Sequence, residues 1–282
     1  MDKKIFERWA KETPKIRENI IKMIHQCQSG HPGGSLSAVE IIYSLFAKDG
    51  IMNHDPAKFD TIKERDRFIL SKGHGIPALY ATLHAVGYDI SEKELMTLRH
   101  VDSRLQGHPD RVRLPFVEAS TGSLGQGASI AQGLAMAYKL DKINNHIYCV
   151  IGDGEMQEGQ IWEVALSAPH QKLNNLTVIL DYNKGQIDGM TNDILKIDPP
   201  EEKWKAFGWH VQVVDGHIYE EIVNALKNTH PDKPSMIVAH TIKGKGISFM
   251  EEDTVKWHGV GPTDDELKIA LDDIRNNNTI GL

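Results

Sequence analysis

The chain has 282 residues, enough for one large domain or two modest ones. Its composition, 40% hydrophobic and 25% charged, is that of an ordinary globular protein and excludes disordered, collagen-like and membrane classes. With 32 Lys and Arg against 39 Asp and Glu, the formal charge of −7 has the wrong sign for tracking a nucleic-acid backbone. Cys27 and Cys149 are too few and too far apart in sequence to suggest a disulfide framework or a four-ligand zinc site, which points to reduced thiols. The N-terminus is charged where a signal peptide needs its apolar stretch, and no run approaches about 18 uninterrupted apolar residues, so no membrane association and a cytoplasmic location are expected.

In chain order, Ile16, Ile20, Ile21, Ile24 and Cys27 fall at helical spacing and predict a helix that stops at Ser29-Gly30. A second helix is expected over Ala38 to Phe46, capped by Ser35 or Ser37. The run Arg67-Phe68-Ile69-Leu70 reads as a short strand entering Ser71-Lys72-Gly73-His74-Gly75, after which Pro77 opens a helix. Ser91 with Glu94 predicts a capping box. Strands are expected at Ile147 to Ile151, Leu176 to Leu180, Val211 to Val214 and Met236 to Ala239. Helices are expected around Trp162 to Lys172, Glu201 to Phe207 and Tyr219 to Lys227. This alternation predicts an α/β fold: one domain with a mostly parallel sheet flanked by helices on both faces. The tail after Leu267 reads as a helix that frays at Asn276-Asn277-Asn278.

Ligands of open parallel sheets bind beyond the carboxyl ends of the strands. There the chain places Gly152-Asp153-Gly154-Glu155, Asp181-Tyr182-Asn183-Lys184-Gly185 and His240-Thr241-Ile242-Lys243-Gly244-Lys245-Gly246. Asp153 and Asn183 offer hard oxygens that, with a backbone carbonyl, suit Mg²⁺ or Ca²⁺ rather than zinc. The glycines beside Asp153 and the following helix start suit a diphosphate. Taken singly, each segment also reads as a plain turn, and Asn183-Lys184-Gly185 as a type I′ or left-handed one. No P-loop is present, and Gly122-Ser123-Leu124-Gly125-Gln126-Gly127 lacks the spacing of a dinucleotide fingerprint. His31, His74 and His108 each follow a glycine and His258 precedes one, a pattern that suits hydrogen bonding and proton transfer at a ligand; each taken alone reads equally as a turn histidine. His25, His84, His100 and His217 are read as such.

Gly152-Asp153-Gly154 followed thirty positions later by Asn183 resembles the thiamine diphosphate-binding motif. The loops Ser29 to Gly34, Ser71 to Gly75, Gly107-His108-Pro109, Gly122 to Gly127, Lys243 to Gly246 and Trp257-His258-Gly259 are similar to those of transketolase specifically. The resemblance runs from about Pro14 to about Pro262. A usual transketolase continues into pyrimidine-binding and C-terminal domains. Residues 1–282 therefore resemble the N-terminal, diphosphate-binding subunit of a split enzyme, with the other domains expected on a separate chain.

The resemblance implies thiamine diphosphate with Mg²⁺, or Ca²⁺, as cofactors, and metal ligation by Asp153, Asn183 and the Gly185 carbonyl. Gly154, His74 and His258 would contact the diphosphate, with Lys243 nearby. Gly122 and Leu124 would line the aminopyrimidine, and Glu158 would stand where the cofactor's two halves meet. His31, His74, His108 and His258 take the catalytic roles, with His31 and His108 facing the transferred unit. The implied reaction moves a two-carbon ketol unit from a ketose, usually phosphorylated, to an aldose acceptor through a thiamine diphosphate carbanion. Its setting is pentose phosphate metabolism, and the assembly expected with the C-terminal partner is an α2β2 heterotetramer. A donor ending in another anion, such as a sulfosugar, is the alternative, as is the α subunit of another thiamine diphosphate enzyme. The histidine loops argue against a 2-oxoacid dehydrogenase, the absent pyrimidine domain against deoxyxylulose phosphate synthase, and intact Asp153, Asn183, His31 and His108 against a noncatalytic module.

Overall fold

Helices open the chain because its apolar residues recur every three to four positions. The computed structural model describes residues 1–59, 64–277 and 280–282. Helix α1 (Lys3–Cys27) begins well before Ile16: Asp2 caps it by accepting the Lys4 amide at 3.0 Å, and buried Phe6, Trp9, Ala10 and Thr13 extend the stripe back across Pro14. It ends at Gln28, whose backbone is left-handed. Helices α2 (Pro32–Leu36) and α3 (Val39–Phe46) follow. Neither serine caps α3. Ala38 takes the N-cap position, Ser35 Oγ donates to the His31 carbonyl at 2.7 Å, and Ser37 Oγ donates to Asp181 at 2.6 Å.

Strand β1 (Arg67–Leu70) leads through a short turn to α4 (Ile76–Ala85), and Ser91 Oγ caps α5 (Glu92–Leu95) by accepting the Glu94 amide at 3.1 Å. Helix α6 (Gln126–Leu140) is absent from the sequence reading. Most of its buried residues, Gly127, Ala128, Ala131 and Ala135, are small, and no large aliphatic stripe marks it. Next come β2 (Ile147–Gly152), α7 (Gly159–His170), β3 (Leu176–Tyr182), the hairpin β4 (Gly185–Gln186) and β5 (Gly189–Met190), α8 (Thr191–Ile194) and α9 (Pro200–Ala206). The remainder is β6 (His210–Asp215), α10 (Tyr219–Lys227), β7 (Ser235–His240), α11 (Ser248–Glu252) and α12 (Asp264–Asn276). Asn278 lies outside the described residues. Helix α12 ends at Asn276, where the expected polar run begins, and nearer the C-terminus the Tyr219 amide donates to the Gly281 carbonyl at 3.1 Å.

The five long strands form one parallel sheet in the order β1-β2-β3-β7-β6. Side chains alternate between its faces with the strand period of two. Phe68, Leu70, Tyr148, Val150, Ile179 and Ile237 pack toward α1, α3, α4 and α10, while Ile69, Cys149, Ile151, Val178, Leu180 and Val238 pack toward α6, α7 and α9. Because β7 inserts between β3 and β6, the chain reverses direction across the sheet, and a crevice opens where such reversals occur, above β3 and β7. No helix among the described residues is long and apolar enough to cross a membrane.

Candidate functional site

The loops leaving β1, β2, β3 and β7 border one cavity of about 320 Å³ at the carboxyl edge of the sheet. Asp153 follows β2 and is 3% exposed. Its Oδ1 accepts the Gly154 amide at 2.8 Å, while its Oδ2 is buried without a hydrogen-bond partner. Burial, helped by the nearby Asp181 charge, raises the Asp153 pKa to about 6. Across the cavity, Asn183 turns its Nδ2 toward Asp181 Oδ2 at 3.3 Å, so its Oδ1 is free to accept the Gly185 amide at 3.2 Å. Lys184 between them has φ 65°, so this segment is both the left-handed turn and the candidate ligand loop.

Asp153 carboxylate, Asn183 amide oxygen and Gly185 carbonyl form a hard-oxygen set that fits Mg²⁺ or Ca²⁺, and the orphaned Asp153 Oδ2 is the atom most in need of a cation. Among the described residues no three His, Cys, Asp or Glu side chains gather as a metal cluster, so zinc is a poor fit.

The opposite wall is cationic and imidazole-rich. Lys243 is 2% exposed; it donates to the Gly185 carbonyl at 2.9 Å and lies 2.8 Å from His258 Nδ1. Burial lowers its pKa to about 8, against the pull of Asp153. Accepting from the ammonium fixes His258 Nδ1 as an acceptor and leaves Nε2 to donate. The rings of His31, His74 and His258 form a triangle with centroids 5.0, 5.4 and 5.5 Å apart. Burial, then the Arg99 charge, lowers the His31 pKa to about 4; burial, then Lys243, lowers that of His258 to about 3. Burial and Lys72 hold His74 well below the usual imidazole range. Near neutral pH all three are therefore neutral hydrogen-bonding groups, and His31 Nδ1 is buried without a partner.

Gly154, Leu124 and Glu158 also line the cavity, Glu158 at its exposed rim. Three expected residues do not. His31 is not part of the lining itself; its ring packs against those of His74 and His258, which are. His108 lies in a separate concavity with Arg99, Gln106 and Ser120, where burial and Arg99 lower its pKa. Gly122, at φ +136°, backs the His108 ring so closely that a Cβ there would come within 2.6 Å of Cδ2. It supports His108 from behind.

Sequence reasoning missed the buried ion pair beneath the cavity. Lys72 and Asp181 are 1% and 0% exposed and in direct contact; Lys72 also donates to the Gly34 carbonyl at 2.6 Å. The Ser37 and Thr241 hydroxyls both donate to Asp181. Burial disfavours the Asp181 charge, but Lys72 outweighs it and holds the carboxyl below its usual range. The available signal was a charged residue closing an apolar run: the strand continues through Asp181 to Tyr182 rather than ending at Leu180.

The family described as "Transketolase, thiamine diphosphate binding domain" matches residues 10–276. The chain is 46% identical over 258 residues to 6-deoxy-6-sulfo-D-fructose transketolase subunit SqwG from Clostridium sp. (strain MSTE9), covering 91% of this chain and 92% of that one. It is 42% identical over 274 residues to a subunit of apulose-4-phosphate transketolase from Actinobacillus succinogenes, covering 96% and 97%. Among solved structures, transketolase from Campylobacter jejuni superposes with a TM-score of 0.87 at 33% identity over 100% of this chain; the chain spans 44% of that protein's length.

Proposed function

The chain belongs to the transketolase family through its thiamine diphosphate-binding domain, and from this we propose that it is the N-terminal subunit of a split transketolase. As such it transfers a two-carbon ketol unit from a ketose or ketose phosphate to an aldose acceptor. The observation that carries the reading is the convergence of Asp153, with its orphaned Oδ2, Asn183, Gly185, His74, Lys243 and His258 on one cavity. Residues 1–282 form the diphosphate-binding domain, and a second chain supplies the pyrimidine-binding domain in an α2β2 assembly in the cytoplasm. Near-complete coverage of two relatives named as subunits supports this division.

When bound, thiamine diphosphate supplies the electron sink for breaking and remaking a carbon–carbon bond. Asp153, Asn183 Oδ1 and the Gly185 carbonyl hold Mg²⁺. The Gly154 segment, His74 and His258 bind the diphosphate, with Lys243 adding positive charge. Leu124 borders the aminopyrimidine, and Glu158 waits at the rim where the partner closes. His31 and His108 orient substrate hydroxyls, and the imidazoles hold or pass protons. The likeness to a relative named for 6-deoxy-6-sulfo-D-fructose favours a second reading, in which the donor ends in a sulfonate.

The test is ketol transfer with thiamine diphosphate and Mg²⁺, using this chain alone and with its partner chain, on fructose 6-phosphate and on 6-deoxy-6-sulfofructose. Activity with the pair and not with the single chain supports the split enzyme, and the preferred donor separates the two readings. Transfer by the single chain refutes the division, and transfer by neither refutes the activity.

A further inference from the structure

We propose that Glu155 is a positioning residue that ties the three loops around the cofactor cavity into one unit and thereby sets the place of Leu124. This rests on the functional reading above. Glu155 is 2% exposed. Its Oε1 accepts the Ser71 hydroxyl at 2.5 Å and the Gly125 amide at 2.8 Å, and its Oε2 accepts the Gly152 amide at 3.0 Å. Each donor belongs to a different segment. Ser71 opens the turn that carries His74, Gly152 ends β2 just before Asp153, and Gly125 follows Leu124 at the start of α6.

A carboxylate accepts at both oxygens and donates at neither, so it suits three converging donors. Glutamine would set an N–H against an N–H at one of them, and a shorter or apolar side chain would leave all three buried donors unpaired. Elsewhere the loops meet through the Thr121 hydroxyl, which donates to the Leu70 carbonyl at 2.6 Å, and through close backbone approach. A Cβ at Gly73 would come within 2.8 Å of the Gly122 amide nitrogen, and one at Gly127 within 2.6 Å of Ser71 Cα. Their spacing is therefore set by the glycines, which permit the approach, by Thr121 at the Gly122 end and by Glu155 at the Leu124–Gly125 end. The end of β2 keeps its place in the sheet ladder opposite Asp181 without Glu155, whereas the Gly122–Gly125 turn lies outside any ladder. Loss of the carboxylate should loosen the Leu124 side of the cavity and spare the diphosphate side.

The experiment measures binding of thiamine diphosphate and of inorganic pyrophosphate, each with Mg²⁺, to the assembled enzyme carrying E155A or E155Q. Thiamine diphosphate should bind about tenfold more weakly to E155A, with E155Q between it and the wild type, while pyrophosphate stays within about twofold. If E155A does not fold, E155Q carries the test with a severalfold loss confined to thiamine diphosphate. Unchanged thiamine diphosphate affinity, or an equal loss for both ligands, overturns the role of Glu155. A wild-type enzyme that binds neither ligand overturns the functional reading and this inference together.

Discussion

The Lys243 ammonium donates to the Gly185 carbonyl at 2.9 Å, so a side-chain cation already occupies one of the three oxygens proposed to hold Mg²⁺. Two cations cannot share that oxygen without repulsion in a buried site. K243M should therefore tighten Mg²⁺ binding severalfold and weaken Mg²⁺-pyrophosphate about tenfold, because the charge-assisted bond to the anion is lost. Calorimetric titration with each ligand checks this. A parallel change for both would mean that Lys243 neither competes with the metal nor assists the anion.

Asp153 gives a pH dependence to cation uptake. Its carboxyl, raised to about 6 by burial and the Asp181 charge, is almost fully ionised at pH 7.5 and about one-quarter ionised at pH 5.5. A proton and a metal compete for the same oxygens, so Mg²⁺ affinity should fall about fourfold between those values. D153N should bind weakly at both, with a flat profile.

Buried imidazoles give fold stability a direction with pH. Burial lowers the His146 pKa to about 4, and its Nε2 lies 2.8 Å from Thr177 Oγ1, away from the cavity. The folded value lies below the unfolded value of 6.5, so between the two the unfolded chain binds more protons. Stability is then fully present above about pH 6.5 and is lost as pH falls toward 4; His31 and His258 act in the same sense. Denaturant titrations at pH 7.5 and 5 should show this loss, and H146Q should reduce its slope by about one proton.

Gly122 tests the seat of His108. At φ +136° and with His108 Cδ2 within 2.6 Å of an added Cβ, G122A must either shift the ring or strain the backbone. The expected result in the assembled enzyme is a rise of tenfold or more in sugar KM, with a melting temperature lowered by a few degrees. Wild-type KM values would show that His108 does not meet substrate.

Much of this molecule can be read from residue order, because strands and helices advertise themselves through local periodicity. The run Tyr219–Lys227 matches α10 at both ends, and Arg67–Leu70 matches β1. Helix α6 escaped because its buried stripe is mostly alanine and glycine, which carry little hydrophobic contrast. The start of α1 escaped because Pro14, which has no N–H for the helix, looks like a boundary while the buried stripe runs through it. Asp153, Asn183, Lys243 and the glycine-flanked histidines stood out because chemical residue types cluster where strands end.

By itself the sequence determined the α/β alternation, the family and most of the groups that meet at the site, since each is carried by a motif a few residues long. Tertiary structure alone decided that β7 lies between β3 and β6, that Lys72 neutralises Asp181 under the cavity, that Glu155 joins three loops, and that His108 lies in its own concavity while the other three histidine rings pack together. Except for Glu155 with Gly152, the contacts behind these features join residues tens of positions apart. Burial gives them their strength, and burial is a property of the packed chain that no local stretch of residues contains.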